Sequence, residues 1–216
     1  MTRHFNRLAK VLLASAVTVL TTAFVEAKDT AVPAKAEDAV PLKAGAVLPK
    51  ASLKTVDGKA FDLNAAVAKK PAVIIIYRGG WCPFCVRHLA EIKGVEKDLL
   101  SLGYQIIAIS PDRPEKLKAS ADKNKFSYTL LSDSSMAFSR SMGIAFKLED
   151  KLVTKYKNEY GIDVEADSGE THHQLPIPSA YIVGTDGKIA YAHVDPNYKF
   201  RVPGKELLTK AMELKK

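Results

Sequence analysis

The two cysteines of this chain, Cys82 and Cys85, stand together in Trp81-Cys82-Pro83-Phe84-Cys85. Two thiols separated by two residues can close a small disulfide across the first turn of a helix. Unpaired backbone N–H groups and the positive end of the helix dipole stabilise a thiolate there. A proline at the first helical position forfeits no hydrogen bond. Such motifs lower a thiol from its ordinary pKa of about 8.5, in some proteins to about 3.5–7. The thiolate attacks, a mixed disulfide forms, and the second cysteine resolves it. The sequence therefore points to reversible thiol–disulfide chemistry. A purely structural disulfide is the plain alternative, although so short a loop gains little chain entropy. Metal binding is another, because His172-His173 lies further along, and thiolate plus imidazole suits zinc or copper.

Neighbouring residues bear on that chemistry. Arg78 carries a charge that favours a thiolate, unless it turns to solvent at its strand end. His88 falls one turn after Cys85, close enough to influence that thiol, or else on the helix surface. Asp112 follows Ser110-Pro111 at a strand end, where ligand-facing groups collect in α/β sheets, or it caps the helix that opens at Pro114. His193 reads most simply as a turn residue.

The elements that hold these residues follow from pattern. Ala72 to Tyr77 is a continuous apolar run dominated by β-branched residues, the mark of a strand buried on both faces. Arg78-Gly79-Gly80 breaks it. Val86, Leu89, Ile92, Val95, Leu99 and Leu102 recur at helical spacing up to Gly103. Tyr104 to Ser110 is a second buried strand. Pro114 starts a helix to about Lys123, Thr129–Leu131 is a short strand, and Ser135 to Met142 is helical. Ala180–Val183 and Lys188–Tyr191 flank a Gly-Thr-Asp-Gly turn, a hairpin signal. Gly204 to Leu214 closes as a helix. Upstream, Ser52–Val56 and Phe61–Leu63 flank Asp57-Gly58, and Asn64 is placed to cap a short helix ending near Lys69. Lys151 to Gln174 is a long polar insertion, partly structured at most. Strands alternating with helices imply an α/β fold with a sheet of mixed direction.

The 216 residues, 47% hydrophobic and 26% charged, suffice for one well-packed domain and exclude disorder as the main state. Two cysteines exclude a disulfide-stapled miniature. At the N-terminus, Arg3, Arg7 and Lys10 precede an uncharged run from Val11 to Val25, then Val25-Glu26-Ala27. This reads as a signal peptide over 1–27, cleaved after Ala27, and hence as a periplasmic or otherwise secreted bacterial protein. The run is short of the ~20 residues that span a bilayer, so no stable membrane insertion is expected once the signal is removed. Residues 28–43 read as a linker of zero net charge, leaving a domain over 44–216. Of the formal charge of +8, the leader accounts for +2 and the C-terminal stretch for much of the rest. That stretch reads as a solvated face. No basic stripe with interleaved aromatics appears, so nucleic acid is not expected as a partner.

From Pro41 onward the chain resembles the peroxiredoxin-like branch of the alkyl hydroperoxide reductase/thiol-specific antioxidant (AhpC/TSA) family, in the thioredoxin superfamily. The resemblance is carried by Gly45–Pro49 with Asp57-Gly58-Lys59, by Ile76 to Cys85, by Leu175 to Val183, and by His193 to Tyr198. It implies a thioredoxin fold, a mixed sheet flanked by helices, with an N-terminal β-hairpin extension. Cys85 stands where a peroxiredoxin holds its peroxidatic cysteine, and Cys82 takes the place of the family's active-site threonine. Pro178 occupies the place of an arginine that orients peroxide. The resemblance gives thioredoxin features instead: a cis Ile177–Pro178 bond, Pro178 as a substrate-docking residue, and Trp81 packed over the disulfide. Thioredoxin logic makes Cys82 the nucleophile; peroxiredoxin logic makes Cys85 the sulfur that takes oxygen, which Cys82 then condenses to a disulfide. The implied function is an antioxidant oxidoreductase acting on peroxides or protein disulfides. A thioredoxin-like donor would reset it, and no cofactor is required. The rival is a copper metallochaperone using both cysteines and a histidine, although such carriers space their cysteines by three residues.

Overall fold

The computed structural model describes residues 31–215; the leader read at 1–27 lies outside them. Strands β1 (Ser52–Thr55) and β2 (Ala60–Asp62) form the entry hairpin, followed by α1 (Leu63–Lys69). Then come β3 (Ala72–Ile76), α2 (Pro83–Ser101), β4 (Gln105–Ser110), α3 (Pro114–Asn124), β5 (Thr129–Ser132) and α4 (Ala137–Ser141). A segment of β6 (Ala145–Lys147), α5 (Asp150–Tyr160), α6 (Val164–Ser168) and β7 (Gln174–Pro176) leads into β8 (Ser179–Val183), β9 (Ile189–Val194) and α7 (Gly204–Leu214).

Seven strands form one sheet in the order β2-β1-β5-β4-β3-β8-β9, and β6 pairs with β7 separately. The centre is parallel, β3 with β4 and β4 with β5; β8 and β9 run antiparallel on one side and the entry hairpin on the other. This is the expected mixed α/β sheet with its hairpin extension. Alternation along the strands divides the core. Val73, Ile75, Ile106, Ala108, Ala180 and Ile182 face the layer of α2 and α7 with Leu89, Ile92, Leu99 and Leu207. Ile74, Ile76, Ile107, Ile109, Tyr181 and Val183 face Leu63, Val67, Phe138 and Met142. The β-branched run of β3 is thus buried on both sides, every residue of it.

The structure corrects several expectations. The polar insertion is folded: α5 and α6 enclose a small cluster of Leu148, Val164 and Leu175, joined by half-buried Leu152, Tyr156 and Trp81. Its apolar residues are too sparse to form a core alone, so sequence pattern missed a cluster completed by residues from elsewhere. Asn64 does not cap α1; Asp62 does, accepting from Ala65 N at 2.9 Å. Asn64 instead binds the backbone of Leu48, Pro49 and Ala51. His193 lies within β9, paired with Ala180, and is not a turn residue. The stretch read as a linker lies against the fold from Pro33 onward. Lys147 N donates to Pro33 O, Leu42 N donates to Met142 O, and Ala36, Ala39 and Leu42 pack on the core. The described residues contain no cis peptide bond, so Ile177–Pro178 is trans. No helix among them is long and apolar enough to cross a membrane.

Candidate active site

Strand β3 ends where Tyr77 N makes a last parallel-sheet bond to Ile109 O. The chain then turns through Arg78, Gly79, Gly80 and Trp81 into α2. Gly79 has φ +149°, and a Cβ there would meet the Trp81 indole and, at 2.8 Å, Asp112 Oδ1. A Cβ on Gly80 would strike Ser120 Oγ at 2.7 Å. Both glycines let the loop lie flat beneath the indole and against α3. Asp112 Oδ2 accepts from Gly80 N at 2.7 Å and from Ser110 Oγ at 3.1 Å. Burial pushes its carboxyl up to about 7, against these two hydrogen bonds that lower it. Asp112 is therefore a clasp on the motif loop. The residue preceding α3 is Arg113, which makes no side-chain cap.

Cys82 is the residue before the first turn of α2, and Pro83 opens the helix. Cys82 O accepts from Cys85 N and Val86 N, each at 3.0 Å. Both cysteines are free thiols, 1% and 0% exposed. The Cys85 thiol donates to Cys82 sulfur, and this bond lowers Cys82 to about 6 against its own burial; the charges of Arg78 and Arg201 assist. Burial and the neighbouring Cys82 hold Cys85 well above the ordinary thiol range. The neighbouring thiol and the two guanidinium charges thus favour negative charge on Cys82, and burial disfavours it on Cys85.

Arg78 does not turn to solvent. It is buried, its Nη2 donates to Tyr156 Oη at 2.6 Å, and its guanidinium lies over the rings of Tyr198 (4.4 Å), Trp81 (5.1 Å) and Tyr156 (5.7 Å). Stacking of this kind holds the charge in place without neutralising it. Trp81 is half-buried and meets Tyr156 edge to face at 6.0 Å. It also packs on the Leu148, Val164 and Leu175 cluster and on the core that holds both cysteines. His88 is buried, not on the helix surface, and its Nε2 lies 3.0 Å from Val202 O. Burial lowers it to about 4, and the positive charge of Arg201 adds to that. Pro178 is buried just before β8; the register of Ile76 with Ser179 sets it across from Tyr77, at the same end of β3 as the motif.

Sequence reasoning missed Arg201, whose Nη2 lies 3.6 Å from Cys85 Sγ. Its Nη1 donates to Phe200 O at 2.7 Å and to Tyr198 O. It was counted with the solvated C-terminal charges. The available signal was its position between the His193–Tyr198 stretch and the proline that opens α7, a helix whose buried face packs on α2. Tyr156 and Tyr198, which frame Arg78, were missed as well. The histidine pair is engaged elsewhere. His172 Nε2 donates to Ser134 O while its Nδ1 accepts from Gln174 N. His173 sits between Asp150 and Glu165, at 3.2 and 2.6 Å. No cluster of three metal-ligating side chains occurs among the described residues, and these histidines do not join the cysteines.

A mixed sheet with a dithiol at the start of the helix that follows β3 is the arrangement of a thioredoxin fold. Residues 44–192 match the AhpC/TSA family, and the chain belongs to that family. It is 31% identical to peroxiredoxin Bcp of Escherichia coli (strain K12) over 103 residues, 48% of this chain. It is 33% identical to the chloroplastic peroxiredoxin Q of Gentiana triflora over 100 residues, 46% of each chain. The match spans 65% of the bacterial relative's own length. Among solved structures, the peroxidoxin BcpB of Mycobacterium tuberculosis superposes with a TM-score of 0.62 at 17% identity, over 80% of this chain and 98% of that one. At that identity the likeness carries the fold.

Proposed function

We propose that this protein is an exported thiol peroxidase that reduces small peroxides with Cys82 and Cys85 and finishes as their intramolecular disulfide. The observation that carries the reading is the placement of two buried free thiols at the start of α2, with the Arg201 guanidinium 3.6 Å from Cys85 Sγ. The Cys82 thiolate takes the Cys85 proton, leaving Cys85 as the nucleophile. Cys85 attacks one peroxide oxygen; a sulfur–oxygen bond forms and the oxygen–oxygen bond breaks. The leaving alkoxide or hydroxide takes the proton held by Cys82, giving an alcohol or water. Cys82, again a thiolate, attacks Cys85 sulfur, the disulfide forms, and hydroxide departs. One peroxide oxidises two thiols, and a thioredoxin-like dithiol donor restores them.

Burial chooses among substrates. Cysteines 1% and 0% exposed admit a peroxide more readily than a protein disulfide. Export rests on the basic head, apolar run and small-residue site of residues 1–27. The chemistry is tested with single-cysteine variants and a sulfenic-acid trap. With hydrogen peroxide, Cys82→Ser is expected to accumulate a trapped adduct on Cys85, and Cys85→Ser to form none at that position. An adduct confined to Cys82 in Cys85→Ser, with none on Cys85 in the other variant, reverses the assignment.

A further inference from the structure

Arg201 has one edge only partly used. In a guanidinium, Nε–H and the adjacent Nη2–H point the same way, forming the side-on pair of the fork. In Arg201, Nη2 points to Cys85 Sγ at 3.6 Å, while Nε is buried and has no acceptor among the described residues. The other edge is occupied, because Nη1 serves the carbonyls of Tyr198 and Phe200. An unpartnered buried donor is costly, and this one lies alongside the sulfur that the proposed mechanism oxidises. We propose that the Nε/Nη2 edge of Arg201 is a catalytic oxygen-binding site for Cys85, holding first the peroxide oxygen under attack and then the sulfenate oxygen.

The assignment rests on the peroxidase reading above. Position 178, where the family resemblance places a peroxide-orienting arginine, holds Pro178 in this chain. Arg201 reaches the same sulfur from another element, the segment between β9 and α7. That segment is fixed from beneath by His88, whose Nε2–H meets Val202 O, and from the side by Phe84, which meets Tyr198 edge to face at 5.7 Å. Arg78 Nε is likewise buried without an acceptor, but the Nη2 beside it is taken by Tyr156 and its faces are stacked on aromatic rings, so its side-on edge is not open as a pair. The two arginines divide the work, Arg78 favouring charge on Cys82 and Arg201 serving Cys85. Developing negative charge on the leaving oxygen gives a fixed guanidinium its greatest effect in the transition state.

The test compares two oxidants on the reduced protein, followed by the fluorescence of Trp81, the chain's single tryptophan. Hydrogen peroxide needs the oxygen site; a small aromatic disulfide, reacting at the Cys82 thiolate, does not. Arg201→Met is expected to slow oxidation by peroxide about 100-fold, the order lost when one preorganised transition-state donor is removed. Its rate with the disulfide should change less than about threefold, since Arg201 is a minor influence on Cys82. Arg201→Lys keeps the charge but not the fork, and should recover only part of the peroxide rate. Equal loss with both oxidants, or no loss with peroxide, overturns the assignment while leaving the peroxidase reading in place. A wild-type protein inert to peroxide overturns both.

Discussion

At the residue scale, the central feature is a pair of sulfurs that differ in charge although only two residues separate them. Cys82 is lowered by the neighbouring thiol and by the charges of Arg78 and Arg201, whereas burial holds Cys85 above the ordinary range. The cysteine pair and its place before a helix were legible, because both signals are local: the spacing, the proline, the apolar run before and the helical period after. Its electrostatic partners were not. Arg201 is 116 positions from Cys85 and Tyr156 is 78 from Arg78, and no local pattern encodes such contacts. The charge asymmetry is measurable. Alkylation of Cys82 by iodoacetamide should rise through a midpoint near pH 6 and then level off, because the lowered thiol is already a thiolate above it. In Cys85→Ala the donor of the main stabilising bond is gone, and the midpoint should move up toward the ordinary range near ~8.5. An unchanged midpoint in that variant would assign the lowering to the arginines.

At the element scale, the site is a junction of four segments: the end of β3, the start of α2, the turn after β4 and the strand-to-helix segment before α7. Sequence periodicity located most strands and helices within a residue or two, since each carries its own apolar pattern, but it ended β9 three residues early and did not find β6. It left the insertion vague because α5 buries none of its residues fully; Leu152, Val153 and Tyr156 find cover against Leu148, Val164 and Leu175 together with Trp81 and Phe146. Asp112 ties two of the junction's segments, binding Gly80 N from the turn after β4. Its carboxyl, raised from 3.8 to about 7, keeps its proton in the folded protein while the unfolded chain releases one. The stability this gives is complete below about pH 4 and is lost as pH rises through about 7, up to roughly 4 kcal/mol over the full shift. Asp112→Asn keeps an acceptor for Gly80 N and cannot ionise. Urea unfolding of that variant should show a flatter dependence between pH 4 and 7 than the wild type. A curve parallel to the wild type would remove Asp112 from the account. Asp112→Ala, which strands the Gly80 N–H, should cost about 1–3 kcal/mol at pH 5.

At the scale of the whole molecule, a seven-stranded sheet carries one helix layer on each face and presents the dithiol at the end of an inner strand, β3. The fold class was readable because the continuous apolar strands allow only a sheet covered on both sides. The short strand β7 was not, since Gln174–Pro176 has too little apolar pattern of its own; Ile177 N bonds Ile144 O before the chain joins the main sheet at Ser179. The proposed export is checked by N-terminal sequencing of the protein from the periplasmic fraction of a bacterial host expressing the full chain, where a chain beginning at Lys28 is expected and an intact Met1 would count against it. The most direct test of the central claim is the thiol stoichiometry of the reduced wild-type protein after addition of one equivalent of hydrogen peroxide. The account predicts loss of both thiols, consumption of the peroxide, and a peptide map with Cys82 joined to Cys85. Two thiols still titrating beside undiminished peroxide would contradict it.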